Sequence, residues 1–286
     1  MTTSVAAVLD AVAAAEPAIR RALATSRGET TAMVSAGENP SGDHAIAADD
    51  RVDALLHDRL TALDAVGAYA SEERESVVDC GSGFSVTVDP VDGSSNLASN
   101  NLVGTVVGVY DAPLPAKGTS LVASAVVRYG PLTTMTVAHE GEATEWVVRD
   151  GERVAPSQVA LPDEATVVGL DGVGTIDRTD DGMPASVLDL AGEVGLKLRY
   201  TGAMVADMGH LLANGGLLCY PEHEGRPNGV LRLQYESNPV AHIVECAGGA
   251  ATDGRQRLLD REPGELHERV PTILGTPDLV DALTEN

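Results

Sequence analysis

Apolar and polar residues along this chain follow two rhythms. Residues 4–25 are rich in Ala, Val and Leu and predict a helix with Ser4 as cap. Pro17 is expected to kink that helix or to open a second one. Residues 29–42 are polar and broken by Gly and Pro, which predicts a loop. Val52, Leu55, Leu56, Leu60 and Leu63 then recur at helical spacing and predict a helix over 49–63, with Asp43 just ahead of it. From residue 65 the pattern turns to strands, at 65–70, 84–88, 103–110, 121–129, 133–138 and 145–149. The turn pairs Gly130-Pro131, Glu140-Gly141 and Asp150-Gly151 make the middle of the chain an antiparallel sheet, with Trp146 in the core. Residues 155–164 hold two prolines and are the best linker candidate. Beyond them the pattern predicts strands at 166–170, 216–220, 230–235 and 272–274. Helices are predicted at 185–196, at 203–213, from Asn238-Pro239 to Gly248, and after Thr276-Pro277.

One short stretch carries more chemistry than the rest. The alternating run 84–88 leads into Asp89-Pro90-Val91-Asp92-Gly93-Ser94-Ser95. Pro90 has no N–H to give and is expected to stop the ladder there. Two carboxylates three residues apart after a rigid strand end share one space. Hard divalent cations take oxygen ligands, and Mg²⁺ uses one or two carboxylates together with phosphate oxygens. Gly93, Ser94 and Ser95 offer small side chains, backbone N–H groups and hydroxyls, the material of an anion cradle. Metal ligands beside a phosphate cradle suggest metal-assisted phosphate chemistry. The competing reading is an ordinary turn, since Asp-Pro and Asp-Gly are turn dipeptides.

Composition narrows the classes. A chain of 286 residues, 43% apolar, has room for about two domains and a large core. No apolar run approaches the ~18 residues that span a bilayer. The start lacks a basic n-region, so no signal peptide and no membrane partner are expected. Cys80, Cys219 and Cys246 lack paired metal spacing and read as reduced thiols of a cytoplasmic protein. The net charge of −24 and the pI near 4.4 argue against nucleic acid as a partner. Lys117 and Lys197 are the only lysines, and the surface suits a salt-adapted, halophile-type protein.

The full run Asp89 to Asn96 resembles the signature of the inositol monophosphatase and fructose-1,6-bisphosphatase superfamily of Mg²⁺-dependent sugar phosphatases. The block from Leu231 to Gly254 resembles the class I fructose-1,6-bisphosphatases, as do Arg199 to Asp207, Gly215 to Pro221 and Leu266 to Pro271. The resemblance runs from about Asp43 to the C-terminus and is weak before residue 40. It implies an α/β fold of α-β-α-β-α layers with mixed sheets. An N-terminal domain (1–158) would carry the metal and phosphate motif, and a C-terminal domain (159–286) the sugar-phosphate contacts.

The same resemblance implies roles. Glu72, Asp89, Asp92 and Glu236, with the Val91 carbonyl, would hold two or three Mg²⁺ ions, or Mn²⁺. Asp43 and Glu73 would activate the attacking water, and Gly93, Ser94 and Ser95 would cradle the departing phosphate. Tyr200, Tyr220 and Tyr235 would hold the sugar and its 6-phosphate. Arg199 would reach the site of a neighbouring subunit, in a homo-oligomer that is a dimer or tetramer. The expected reaction is hydrolysis of the 1-phosphate of fructose 1,6-bisphosphate, a step of gluconeogenesis. Two departures bear on substrate choice. Val230 stands where the family places a lysine, and Asp171 where it offers an asparagine; Arg226 or Arg232 would have to compensate. An inositol-1-phosphatase, a sedoheptulose bisphosphatase and a non-enzymatic acidic metal-binding protein are the alternatives.

Overall fold

The computed structural model describes residues 4–28, 35–38, 44–172, 183–223 and 225–284. The N-terminal half contains α1 (Val5–Gly28), β1 (Ser35–Glu38), β2 (His44–Ile46), α2 (Ala47–Leu60), β3 (Val66–Ser71), β4 (Val78–Asp79) and β5 (Phe84–Asp92). It continues with β6 (Val103–Tyr110), β7 (Leu121–Tyr129), β8 (Thr133–His139), β9 (Glu142–Arg149) and β10 (Glu152–Gln158). Then follow β11 (Val167–Leu170), α3 (Met183–Val194), β12 (Lys197–Leu198), α4 (Met204–Asn214), β13 (Gly216–Tyr220) and β14 (Leu231–Arg232). The chain ends with α5 (Asn238–Cys246), β15 (Ala250–Thr252), β16 (Arg269–Val270), β17 (Thr272–Gly275) and α6 (Pro277–Thr284).

Two sheets organise these elements. The larger has eight strands in the order β10-β9-β8-β7-β6-β5-β3-β4 and is mixed, because β3 and β5 run parallel. The second has five strands in the order β12-β11-β13-β17-β15, with β11 parallel to β12 and β13 and antiparallel pairing beyond. Period-two side-chain alternation decides which helices cover which face. Val86, Val88, Val107 and Val109 pack with α1 and α2, through Val12, Ile19, Val52 and Leu56. Val106, Val126 and Ala138 face the other way and pack with Met208, Leu211, Val240 and Ile243 of α4 and α5. Leu218 and Leu274 of the second sheet join that same middle core. Leu217, Cys219 and Ile273 point outward to Val187 of α3 and Val280 of α6. The result is five layers: helices, sheet, helices, sheet, helices.

Several elements depart from their sequence expectations. α1 runs as one helix through Pro17. Ser35–Glu38 is a strand inside the stretch expected as loop. β5 does not stop at Pro90; it continues to Asp92 across a break in register between Asp89 and Asp92. A bulge accommodates a residue with no N–H, which is how a proline enters a ladder. β10 claims Ala155 to Gln158 from the expected linker, with its own register shift between Val154 and Ser157. Trp146 is half-buried rather than central, with the Arg153 guanidinium 5.0 Å from its ring centroid. The run expected as a strand over 230–235 is β14 followed by a π-helical turn, Leu233–Ser237, which leads directly into α5.

Candidate active site

The strand ends, the π turn and the start of α4 converge between the two sheets. β3 and β5 are hydrogen-bonded parallel neighbours with Ser71 opposite Val88, so Glu72, just past the end of β3, comes beside Asp89 of β5. Glu72 N–H bonds the Val88 carbonyl at 3.0 Å and extends that ladder by one residue. Glu236 arrives from the π turn. That turn is tied to the first sheet because its Gln234 carbonyl accepts from Thr87 Oγ1 (2.9 Å) and Tyr110 Oη (3.1 Å).

Asp89, Asp92 and Glu236 are all buried, and one carboxylate oxygen of each lies within 4.8 Å of the others. Three like charges so placed repel strongly away from water. Burial, then Glu72, Asp92 and Glu236, pushes the Asp89 carboxyl well above the usual range, against the pull of Arg232. Burial and Glu236 raise Asp92 to about 7, although the backbone N–H groups of Val205 and Met204 favour its charged form. The Val205 N–H, at the start of α4, donates to Asp92 Oδ2 at 2.8 Å. Glu236 is also raised by burial, with Arg232 opposing. A donor set made only of oxygen, compact and short of positive charge, fits hard divalent cations.

Glu72 borders this trio through Arg232, a residue whose role the sequence did not disclose. Arg232 is 4% exposed, and its Nη1 lies 3.0 Å from Glu72 and 3.4 Å from Glu236. Its own N–H donates to Glu236 at 2.7 Å. Arg232 is therefore the counter-charge of the carboxylates, not a free cation for a second phosphate. A charge inside an otherwise apolar run was the available signal, because a buried charge needs a partner. Val91 is buried and its N–H donates to Asp89 Oδ1 at 3.0 Å, which fixes that carboxylate at the bulge.

The glycine-serine segment follows at once. Gly93 has φ 71°, and the Ser94–Leu97 3₁₀ turn opens behind it. An added Cβ on Gly93 would overlap Ala203, so glycine is needed for close approach as well as for conformation. Asn96 Nδ2 bonds the Thr201 carbonyl at 3.0 Å and the Leu102 carbonyl at 3.2 Å, tying this turn to the start of α4. Ser94 is half-buried and Ser95 exposed. Glu73 is half-buried, its N–H 3.3 Å from Ser71 Oγ. Asp43 lies outside the described residues.

The tyrosines separate. Tyr200 is 44% exposed and donates to Asp171, and its ring lies 6.3 Å from that of Tyr220. Tyr220 is buried and bonded to Asp207 Oδ2 at 3.2 Å. Asp207, a second group the sequence left unremarked, also accepts the Thr201 N–H at 2.9 Å. Tyr235 is fully buried and packs on His267. Arg199 is exposed beside Leu198 on β12, the edge strand of its sheet.

Buried oxygen donors beside a tight glycine-serine turn, set between two mixed sheets, belong to the class of metal-assisted phosphoric ester hydrolases. The family model described as "Fructose-1-6-bisphosphatase, N-terminal domain" matches residues 1–152, and "Fructose-1-6-bisphosphatase, C-terminal domain" matches 168–286. A class 1 fructose-1,6-bisphosphatase of Halobacterium salinarum is 47% identical, covering 99% of this chain and 97% of the relative. One from Haloarcula marismortui is 44% identical, covering 99% and 94%. The holo crystal structure of Leishmania major fructose-1,6-bisphosphatase superposes with a TM-score of 0.88 at 25% identity, covering 98% of this chain and 93% of that one. The chain belongs to the class 1 fructose-1,6-bisphosphatase family.

Proposed function

We propose that this chain hydrolyses the 1-phosphate of fructose 1,6-bisphosphate to give fructose 6-phosphate and inorganic phosphate. The observation that carries the reading is the meeting of Asp89, Asp92 and Glu236 directly before the Gly93-Ser94-Ser95 turn. Glu72, Asp89, Asp92, Glu236 and the Val91 carbonyl would hold Mg²⁺, in two or three sites. When bound, Mg²⁺ supplies charge neutralisation at the phosphate and a water of lowered pKa. Glu73 or Asp43 accepts the proton of the attacking water. Gly93, Ser94 and Ser95 orient the phosphate under attack. Tyr200 and Tyr220 line the sugar side, and Tyr235 supports it from the core. Exposed Leu198 on β12, beside Arg199, with exposed Leu188 and Val194 on α3, supports a homo-oligomer in which this part of the chain meets a second copy. We further take residues 1–158 and 159–286 as two domains, supported by the change of sheet between Gln158 and Val167. Among the described residues no helix is long and apolar enough to cross a membrane. The free thiols of Cys80, Cys219 and Cys246 support a site of action in the reducing cytoplasm.

The test is phosphate release from fructose 1,6-bisphosphate, sedoheptulose 1,7-bisphosphate and inositol 1-phosphate, with Mg²⁺ or with chelator, in high KCl. Fructose 1,6-bisphosphate should be preferred and chelator should abolish release. Preference for the inositol monophosphate would remove the reading.

A further inference from the structure

One imidazole joins the turn that carries Glu72 and Glu73 to the far half of the chain. His267 Nε2 lies 3.0 Å from the Arg74 carbonyl oxygen, across 193 residues of sequence. A carbonyl only accepts, so Nε2 carries the proton and donates it. The same ring packs at 5.2 Å on Tyr235, the residue just before Glu236. Burial lowers the pKa of His267, the bond to Arg74 opposes this, and Arg232 adds to the lowering.

The turn itself is defined mainly by its own half. Arg74 N–H closes it onto the Ser71 carbonyl at 3.0 Å. The Arg74 guanidinium grips Asp53 Oδ2 of α2 from Nε at 2.8 Å and from Nη2 at 2.7 Å. Tyr69 Oη holds the other oxygen of Asp53 at 2.9 Å. Arg232 and His267 both reach the turn from the C-terminal half. Arg232 takes the Glu72 carboxylate at 3.0 Å, a contact to a side chain. His267 takes the backbone, and so sets where the turn sits relative to Glu236.

We propose that His267 is a positioning residue that fixes the turn bearing Glu72 and Glu73 at working distance from Glu236. The proposal rests on reading those carboxylates as cation ligands. Groups that orient ligands in this way commonly change metal affinity by about 10- to 100-fold when removed. A glutamine places an amide N–H near the position of Nε2–H, whereas a leucine fills similar space with no donor.

The experiment is calorimetric titration of Mg²⁺ into the parent protein, His267→Leu and His267→Gln, in molar KCl to suppress binding at surface acids. Phosphate release against Mg²⁺ is measured alongside, as are melting curves in chelator. His267→Leu should raise the half-saturating Mg²⁺ at least ~10-fold, with its chelator melting point close to the parent's, and His267→Gln should restore the parental value. Should His267→Leu fold too poorly to titrate, His267→Asn, which moves the N–H to the Nδ1 position, takes its place. Unchanged Mg²⁺ binding in the donor-less variant overturns the proposal. Equal losses in the Leu and Gln variants overturn it too, since packing alone would then explain them. A parent protein that binds no Mg²⁺ would instead overturn the reading of the metal site.

Discussion

Replacing Arg232 with methionine keeps volume and apolar stem while deleting the guanidinium that lies against both Glu72 and Glu236. At separations of 3.0 and 3.4 Å, and an effective dielectric near 20, each attraction is about 5 kcal/mol. The cost of desolvating the three charges takes back several kcal/mol. Deleting one partner of a buried ion pair costs about 3–5 kcal/mol, because the remaining charges stay buried without compensation. In a chain of this size that is a fall of roughly 5–8 °C in melting temperature. The variant and the parent should be melted in chelator and again in saturating Mg²⁺. The gap should be wide in chelator and shrink by more than half with Mg²⁺, since the ion supplies the missing positive charge. A variant that melts within about 2 °C of the parent in chelator would refute the assignment of Arg232 as counter-charge. A gap that Mg²⁺ leaves untouched would refute the link between Arg232 and the cation ligands.

His242 offers a pH test away from the metal ligands: burial, then His139 and Arg257, lowers its pKa to about 4, and Nδ1 is 2.9 Å from Ser124 Oγ. The unfolded chain takes the proton first, so stability is full above about pH 6.5 and falls as pH drops towards 4, by roughly 2–3 kcal/mol; chelator melts should show a shallower acid slope in His242→Asn, and equal slopes would refute this. Gly93→Ala combines a φ of 71° with overlap on Ala203 and should cost about 2–4 kcal/mol, with loss of turnover beyond what unfolding explains; a folded, fully active variant would contradict the close approach.

The parts of this site that were legible in sequence are those built from local rules. Alternation marked β5, Asp89 and Asp92 fell at its end, and a glycine stood where the left-handed residue is needed. Asn238-Pro239 opened α5 as helix-start chemistry requires. The illegible parts were set by tertiary contact. From Leu231 to Ala241 every residue is buried, and a run buried on all sides has no period to tell strand from helix, so the π turn carrying Glu236 was read as strand. β10 is largely exposed and contains Pro156, so it shows neither an apolar face nor an unbroken ladder. Arg232 and His267 act on Glu72 and Arg74, partners distant in sequence, which spacing cannot reveal.

The proposed cation ligands come from both early and late portions of the polypeptide, with Glu236 and its guanidinium neighbour supplied long after Asp89 and Asp92 have left the ribosome. A nascent chain that has produced only its first sheet holds acids with nothing to gather them. It has no cage in which to trap an ion, and so no means of attacking a phosphate ester. On that ligand set the final third of the polypeptide would be the latch that arms the catalyst, and premature termination before it is expected to yield an inert fragment rather than a leaky hydrolase.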